Sequence, residues 1–194
     1  MKLSPAPRPH PSWRRRLHRN WEPAGHHASW ALAPTLEALA CAQLGDGDSS
    51  REALSIARRN FEVLGSSEQV ESVFGFSERR WRFYESRVLS FLDDIPSAMN
   101  AQKCALSLYP PDVVGDRALI RLDMATCIVR SKDIRSGLDN ATDTLLAMPE
   151  DHRADIFLRY AWRVAQAVPP RQRSMPEVGE YCDLLRSLGT ENLP

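Results

Sequence analysis

The chain has 194 residues, 43% hydrophobic and 26% charged, and its 25 basic side chains balance 25 acidic ones. That length supports one sizeable core, and the composition is that of an ordinary globular protein. No stretch approaches eighteen consecutive apolar residues, which argues against a bilayer-spanning helix, and a neutral balance is unlike the basic stripe of a nucleic-acid-binding domain. The expected location is cytoplasmic.

Residues 1–30 contain Pro5, Pro7, Pro9, Pro11 and Pro23 and show neither a helical nor a strand period, so they read as a disordered arm. Residues 1–20 carry Lys2, Arg8, Arg14, Arg15, Arg16 and Arg19 with no acid, a local charge of +6 that leaves the rest of the chain at −6. The adjacent arginines resemble an export signal superficially, but no apolar segment or small-residue cleavage site follows them. Residues 31–190 form the second expected unit, a helical repeat domain.

From Pro34 the pattern is helical almost throughout. Pro34 to Leu44 reads as a first helix, and Asp48 or Ser49 is placed to cap a second that runs to about Leu64, with Gly65 at its end. After a Ser- and Gly-containing connector at 66–76, Ser77 caps an amphipathic helix in which Trp81, Tyr84, Val88 and Leu92 follow the 3.6-residue period. Its partner spans Ile95 to Leu108. A third pair covers Asp116 to Arg130 and Asp133 to Met148, and a fourth begins near Asp151 and ends around Val168. A last helix runs from Pro176 to Leu188. No alternating strand run appears, so the class is all-α.

Two of these segments, RVLSFLDDIPSAMNAQKCALSLYP and CIVRSKDIRSGLDNATDTLLAMP, superimpose at an offset of 39 residues. Ser86, Leu89, Ala98, Ala105 and Pro110 recur as Ala125, Ile128, Gly137, Thr144 and Pro149. A small residue on one helix, another twelve positions later and a proline twelve beyond that is the spacing of a tetratricopeptide repeat. Antiparallel helices approach closely only where side chains are small, and proline ends the second helix because it has no N–H. Cys41 and Ala53, with Gly65 in the proline's place, extend the frame to the first pair. Inter-unit spacings of 45 and 39 exceed the standard 34, and Arg82 and Glu85 occupy positions usually apolar, so Trp81 and Tyr84 are expected to take over the packing there. The expected architecture is a tetratricopeptide-like right-handed superhelix of about four helix pairs.

Candidate chemistry is sparse. Four of the five histidines (His10, His18, His26, His27, His152) lie in the arm, where no scaffold holds an acid–base set in register. Asp93-Asp94 and Asp46-Gly47-Asp48 sit at inter-helix turns, where aspartate serves turns and caps. Cys41, Cys104, Cys127 and Cys182 are scattered without a CxxC pair and read as reduced core thiols, so neither metal nor cofactor is expected. No phosphate loop, dinucleotide fingerprint or nucleophile elbow occurs, and no catalytic residue is assigned.

Binding is the better candidate. In helical repeats the first helix of each pair lines a concave groove. The frame places Arg80, Phe83, Arg87 and Ser90 of the second unit there, with Leu119, Leu122, Thr126 and Val129 of the third and Asp155, Leu158 and Trp162 of the fourth. Such a face suits a peptide or amphipathic helix with an acidic edge; a protein partner, a small ligand or a second copy of the chain are the alternatives. Arg14, Arg15, Arg16 and Arg19, interleaved with Trp13 and Trp21, form a second candidate surface for phosphates and stacked bases.

The segments FGFSERRWRFYESRVLSFL, ALSLYPPDVVGDRALIRLDMATCIVRS and HRADIFLRYAWRVAQAVP resemble the C-terminal tetratricopeptide-like region of actinobacterial helix-turn-helix transcriptional regulators of the XRE type. The resemblance covers roughly residues 30–189. It implies the sensing or dimerising half of such a regulator, which binds a peptide, a small molecule or a partner protein. Those regulators also carry a DNA-binding domain whose recognition helix enters the major groove. This chain has no room for one before Pro34, so direct DNA binding is not carried over to any residue.

Overall fold

The computed structural model describes residues 27–72, 74–150 and 155–190, which contain eight α-helices and no strand. They are α1 (Ala28–Gln43), α2 (Gly47–Glu62), α3 (Glu78–Phe91), α4 (Ile95–Leu108), α5 (Val114–Arg130), α6 (Ile134–Leu146), α7 (Asp155–Ala167) and α8 (Pro176–Thr190), with a short 3₁₀ turn at Pro170–Gln172. Consecutive helices pack as pairs, α1 on α2, α3 on α4, α5 on α6 and α7 on α8. The first members of successive pairs also touch, α1 on α3, α3 on α5 and α5 on α7. The fold is therefore all-α with a helical repeat-like arrangement. None of the described helices is long and apolar enough to cross a membrane. The arm at 1–26 and the expected helix start near Asp151 lie outside the described residues.

Three of the pairs turn in the same way. Gly45, Asp93 and Lys132 each adopt a left-handed conformation, with φ of 78°, 61° and 73°. The next residue, an aspartate every time, returns its N–H to a carbonyl five positions back: Asp46 to Cys41 at 2.9 Å, Asp94 to Leu89 at 3.2 Å and Asp133 to Ile128 at 3.3 Å. That is the Schellman closure of a helix C-terminus. The same aspartate opens the following helix, its carboxylate accepting from the backbone N–H of Ser49, Ser97 or Ser136. One residue thus ends one helix and starts the next. The cap of α2 is Asp46, ahead of both Asp48 and Ser49, the two positions expected from sequence.

Pro34 is not a helix start but an interior residue of α1. Proline has no N–H to give the carbonyl four residues back. That carbonyl, on Trp30, accepts instead from Asn60 Nδ2 of α2 at 2.8 Å. The replacement bond lets the helix continue through the proline.

The small residues that define the repeat lie where the helices cross. Ser86, Ala98 and Ala125 are fully buried. A Cβ at Gly137 would stand 2.5 Å from Val129 Cγ2 and 3.0 Å from the carbonyl oxygen of Ala125, so α5 and α6 meet at a distance only glycine allows. In α3, Trp81 is buried, stacking on Phe61 with centroids 5.4 Å apart and meeting Phe76 edge-on at 6.4 Å. Tyr84 packs beside them, against Phe76 and Phe83. Glu85, in a position usually apolar, is buried and held by Arg58 of α2 at 2.5 Å and by Arg82 at 2.9 Å. Pairing on two sides satisfies a charge that burial alone would forbid.

Two glycines within helices are expected to respond oppositely to alanine. Gly137→Ala should destabilise the fold by about 1–3 kcal/mol through overpacking. Gly179→Ala in α8, where an added Cβ meets nothing within 4 Å, should stabilise it by about 1 kcal/mol. Urea midpoints of the two variants check both signs.

Candidate functional site

Three first-in-pair helices, α3, α5 and α7, are joined by a buried polar cluster. Asp123 of α5 is 2% exposed, although its carboxylate lies among charged groups. Its Oδ1 accepts from Arg163 Nη1 of α7 at 3.2 Å, and its Oδ2 stands 3.6 Å from Arg87 Nε of α3. Aromatic rings enclose both guanidinium groups. Arg87 lies 4.7 Å from the Tyr160 centroid and 5.6 Å from that of Phe83; Arg163 lies 4.2 Å from Phe91 and 5.5 Å from Tyr160. Weakly hydrated guanidinium suits such stacked, half-dry surroundings better than an ammonium would. Burial pushes the Asp123 carboxyl above its usual range, against the opposing pull of Arg163, Arg87 and Arg130. Burial likewise pushes the Tyr160 phenol up to about 12, so it stays protonated.

A second polar group adjoins the first. Gln102 Nε2 donates to Ser90 Oγ at 3.0 Å and approaches Cys127 Sγ at 3.6 Å, while Ser90 Oγ and Cys127 Sγ are 3.5 Å apart. Arg130 Nη1 donates to the Ser90 carbonyl at 2.8 Å and pairs with Asp93 at 3.3 Å. Burial raises the Cys127 thiol above its ordinary value, which favours the neutral, unreactive form. Among the described residues no group of three or more His, Cys, Asp or Glu side chains is arranged to hold a metal ion.

The residues expected to line the groove separate into three sets. Phe83, Leu119 and Leu122 belong to the hydrophobic core. Ser90 and Thr126 are buried too, their hydroxyls donating to the carbonyls of Ser86 and Leu122 one turn back. Arg80 and Arg87 are committed within the chain: Arg80 donates to the Gly75 carbonyl at 2.9 Å and lies over the Phe76 ring, and Arg87 faces Asp123. Trp162, half-buried against the core, borders an open hollow together with Asp155 and Leu158. Arg14, Arg15, Arg16 and Arg19 lie outside the described residues.

Trp162 borders a hollow of about 380 Å³ whose other walls are Asp155, Leu158 and Arg159. These four positions recur along one side of α7 at helical spacing, away from Phe157, Tyr160, Ala161 and Val164, which enter the core. Asp155 and Arg159 are exposed, and neither has a hydrogen bond or ion pair among the described residues. The hollow therefore offers an indole face, an aliphatic side chain and one charge of each sign. The repeat frame assigns Asp155, Leu158 and Trp162 to this surface; Arg159 joins them one turn beyond Asp155. Asp123, Tyr160 and Arg163 were not anticipated, because charges within a helical period read as a solvated face.

Comparison of the chain with protein-family models, with curated proteins and with solved structures finds no match.

Removing the carboxylate that the two arginines share should be costly. Asp123→Ala leaves two mostly buried guanidinium groups facing each other, with an expected loss of about 3–5 kcal/mol. Replacing Asp123 by Leu together with Arg87→Met and Arg163→Met should recover most of that loss, since the desolvation cost disappears with the charges. Guanidinium chloride melts of the single and triple variants measure both.

Proposed function

We propose that this chain is a non-catalytic interaction module of tetratricopeptide-like, right-handed superhelical build, and that it captures a peptide segment of a partner protein on the exposed side of α7. The hollow formed by Asp155, Leu158, Arg159 and Trp162 carries this reading. An open apolar floor flanked by uncommitted charges is what a short peptide needs: an apolar side chain to lie against the indole, with polar groups beside it to meet Arg159 and Asp155. Tryptophan and arginine are also the residues that most often dominate binding energy at interfaces. The clamp at Asp123 supports the reading from beneath, since it fixes α7 against α5 and α3 and so holds the surface in one shape before a ligand arrives.

The resemblance of the three quoted segments to XRE-type regulators supports a place as the sensing half of a transcriptional regulator, with peptide capture changing how the helix pairs stack. DNA contact then belongs to another domain or chain. The recurrent turn at Asp46, Asp94 and Asp133 supports the repeat architecture on which this reading rests.

Selection of a displayed random-peptide library on the full chain tests the proposal. Enriched peptides should carry an apolar residue next to a charged one, and should bind the Arg159→Ala, Trp162→Ala double variant at least about tenfold more weakly. Arg159 is exposed while Trp162 is half-buried against the core, so circular dichroism and a thermal melt of the variant check that the fold persists. Equal binding of parent and variant would remove α7 as the ligand surface.

A further inference from the structure

We propose that one water molecule is buried between α3, α5 and α7, bridging Arg87 Nε, Asp123 Oδ2 and the Tyr160 hydroxyl. Each of these three atoms is closed off from the surface, and none has a hydrogen-bond partner among the described residues. Asp123 and Tyr160 are 2% and 7% exposed. Buried polar groups are paired almost without exception, because a group that gives up its solvent on folding needs another partner in exchange. The 3.6 Å between Arg87 Nε and Asp123 Oδ2 exceeds the reach of a direct N–H···O bond, about 3.2 Å. A polar contact of that length is one that a shared water spans. Tyr160 stands beside the gap, its ring centroid 4.7 Å from the Arg87 guanidinium. Burial is the main influence on its phenol, and Arg87 and Asp123 are the next two, acting in opposite directions.

Neither charged side chain is free to close the gap. Asp123 Oδ1 is engaged by Arg163 at 3.2 Å, and the Arg87 guanidinium is wedged between the rings of Phe83 and Tyr160. The occupant must accept from the Arg87 Nε–H and donate to a carboxylate oxygen. The Asp123 carboxylate repels an anion there, and the guanidinium groups of Arg87 and Arg163 repel a metal cation. What fits is a neutral molecule that both donates and accepts, and water is small enough for a place that no bulk solvent reaches. Arg87 Nε–H and the Tyr160 O–H donate to the water oxygen, and one water hydrogen goes to Asp123 Oδ2. Those three bonds are the usual number for a buried water. The clamp is then of two kinds: α7 reaches α5 directly through Arg163, and reaches α3 through the Tyr160 hydroxyl and the water.

A crystal structure of the full chain, at a resolution that shows ordered water, tests the proposal directly. It should show an isolated peak within hydrogen-bond distance of all three atoms, about 2.6–3.2 Å. A direct bond from Arg87 Nε or the Tyr160 hydroxyl to Asp123 Oδ2, with no peak between them, overturns the proposal, as does a peak that touches only one of the three atoms. Oxygen-17 relaxation dispersion of the solvent gives the independent test, since it counts waters held inside the protein long enough to tumble with it. In an Arg87→Met, Tyr160→Phe double variant the water keeps a single partner, fewer than the two to four that hold a buried water, so the count should fall by one. A thermal melt checks that the variant is folded, and the crystal structure of the parent decides the question if it is not. Equal counts for the parent and a folded double variant overturn the proposal.

Discussion

A single buried carboxylate sets the geometry of this molecule. Asp123 is the only point at which α3, α5 and α7 meet through charge among the described residues, by way of Arg87 and Arg163. A buried ion pair is poor evidence of extra stability, since hydrophobic replacements often do as well. What it supplies is a demand for registry. Leucine and valine at a helix crossing tolerate a small slide, whereas a carboxylate between two arginines that are themselves wedged among Phe83, Phe91 and Tyr160 tolerates little. Three helices from three different pairs are thereby fixed in relative height. The exposed side of α7 inherits that position, because Tyr160 and Arg163 lie on the same thirteen-residue helix as Arg159 and Trp162.

The remaining order comes from repetition of one local device. The left-handed residue followed by a capping aspartate occurs between α1 and α2, α3 and α4, and α5 and α6. Each turn closes one helix, opens the next and sets nearly the same reversal, so pairs of similar shape follow from a local instruction rather than from long-range contacts. The left-handed conformation costs about 1–2 kcal/mol for a residue with a Cβ. Only the first turn has glycine there; Asp93 and Lys132 carry the strain in the other two. At Asp93 the carboxylate also receives Arg130, which ties the second turn to α5.

Much of this architecture is legible in the sequence, and the illegible part has a physical reason. Helix positions follow from the 3.6-residue period, and the span of α4 is read to the residue. The close crossing of α5 on α6 is visible as Ala125 and Gly137 twelve positions apart. The triplet of Asp-x-x-Ser caps at 46, 94 and 133 is also in plain view, and it would have corrected the start of α2. The interior proline of α1 is not legible, because what rescues it is Asn60 of another helix. The same holds for Asp123. A charged residue inside an amphipathic period is normally solvated, and only the packing of α3 and α7, thirty-six and forty residues away, shows that it is enclosed. The candidate groove suffered most from this blindness: Phe83, Leu119 and Leu122 have the right period for an inner surface but fill the core between pairs, and only the last unit, with Trp162, keeps that surface open.

Native-state hydrogen exchange is the most direct test of the claim that Asp123 binds three helix pairs into one unit. If it does, the amides at the centres of α3, α5 and α7 should exchange with a common opening free energy equal to that of global unfolding. Opening of α7 with α8 at a distinctly lower free energy, while α3 and α5 stay protected, would contradict the account and reduce the Asp123 cluster to a local contact.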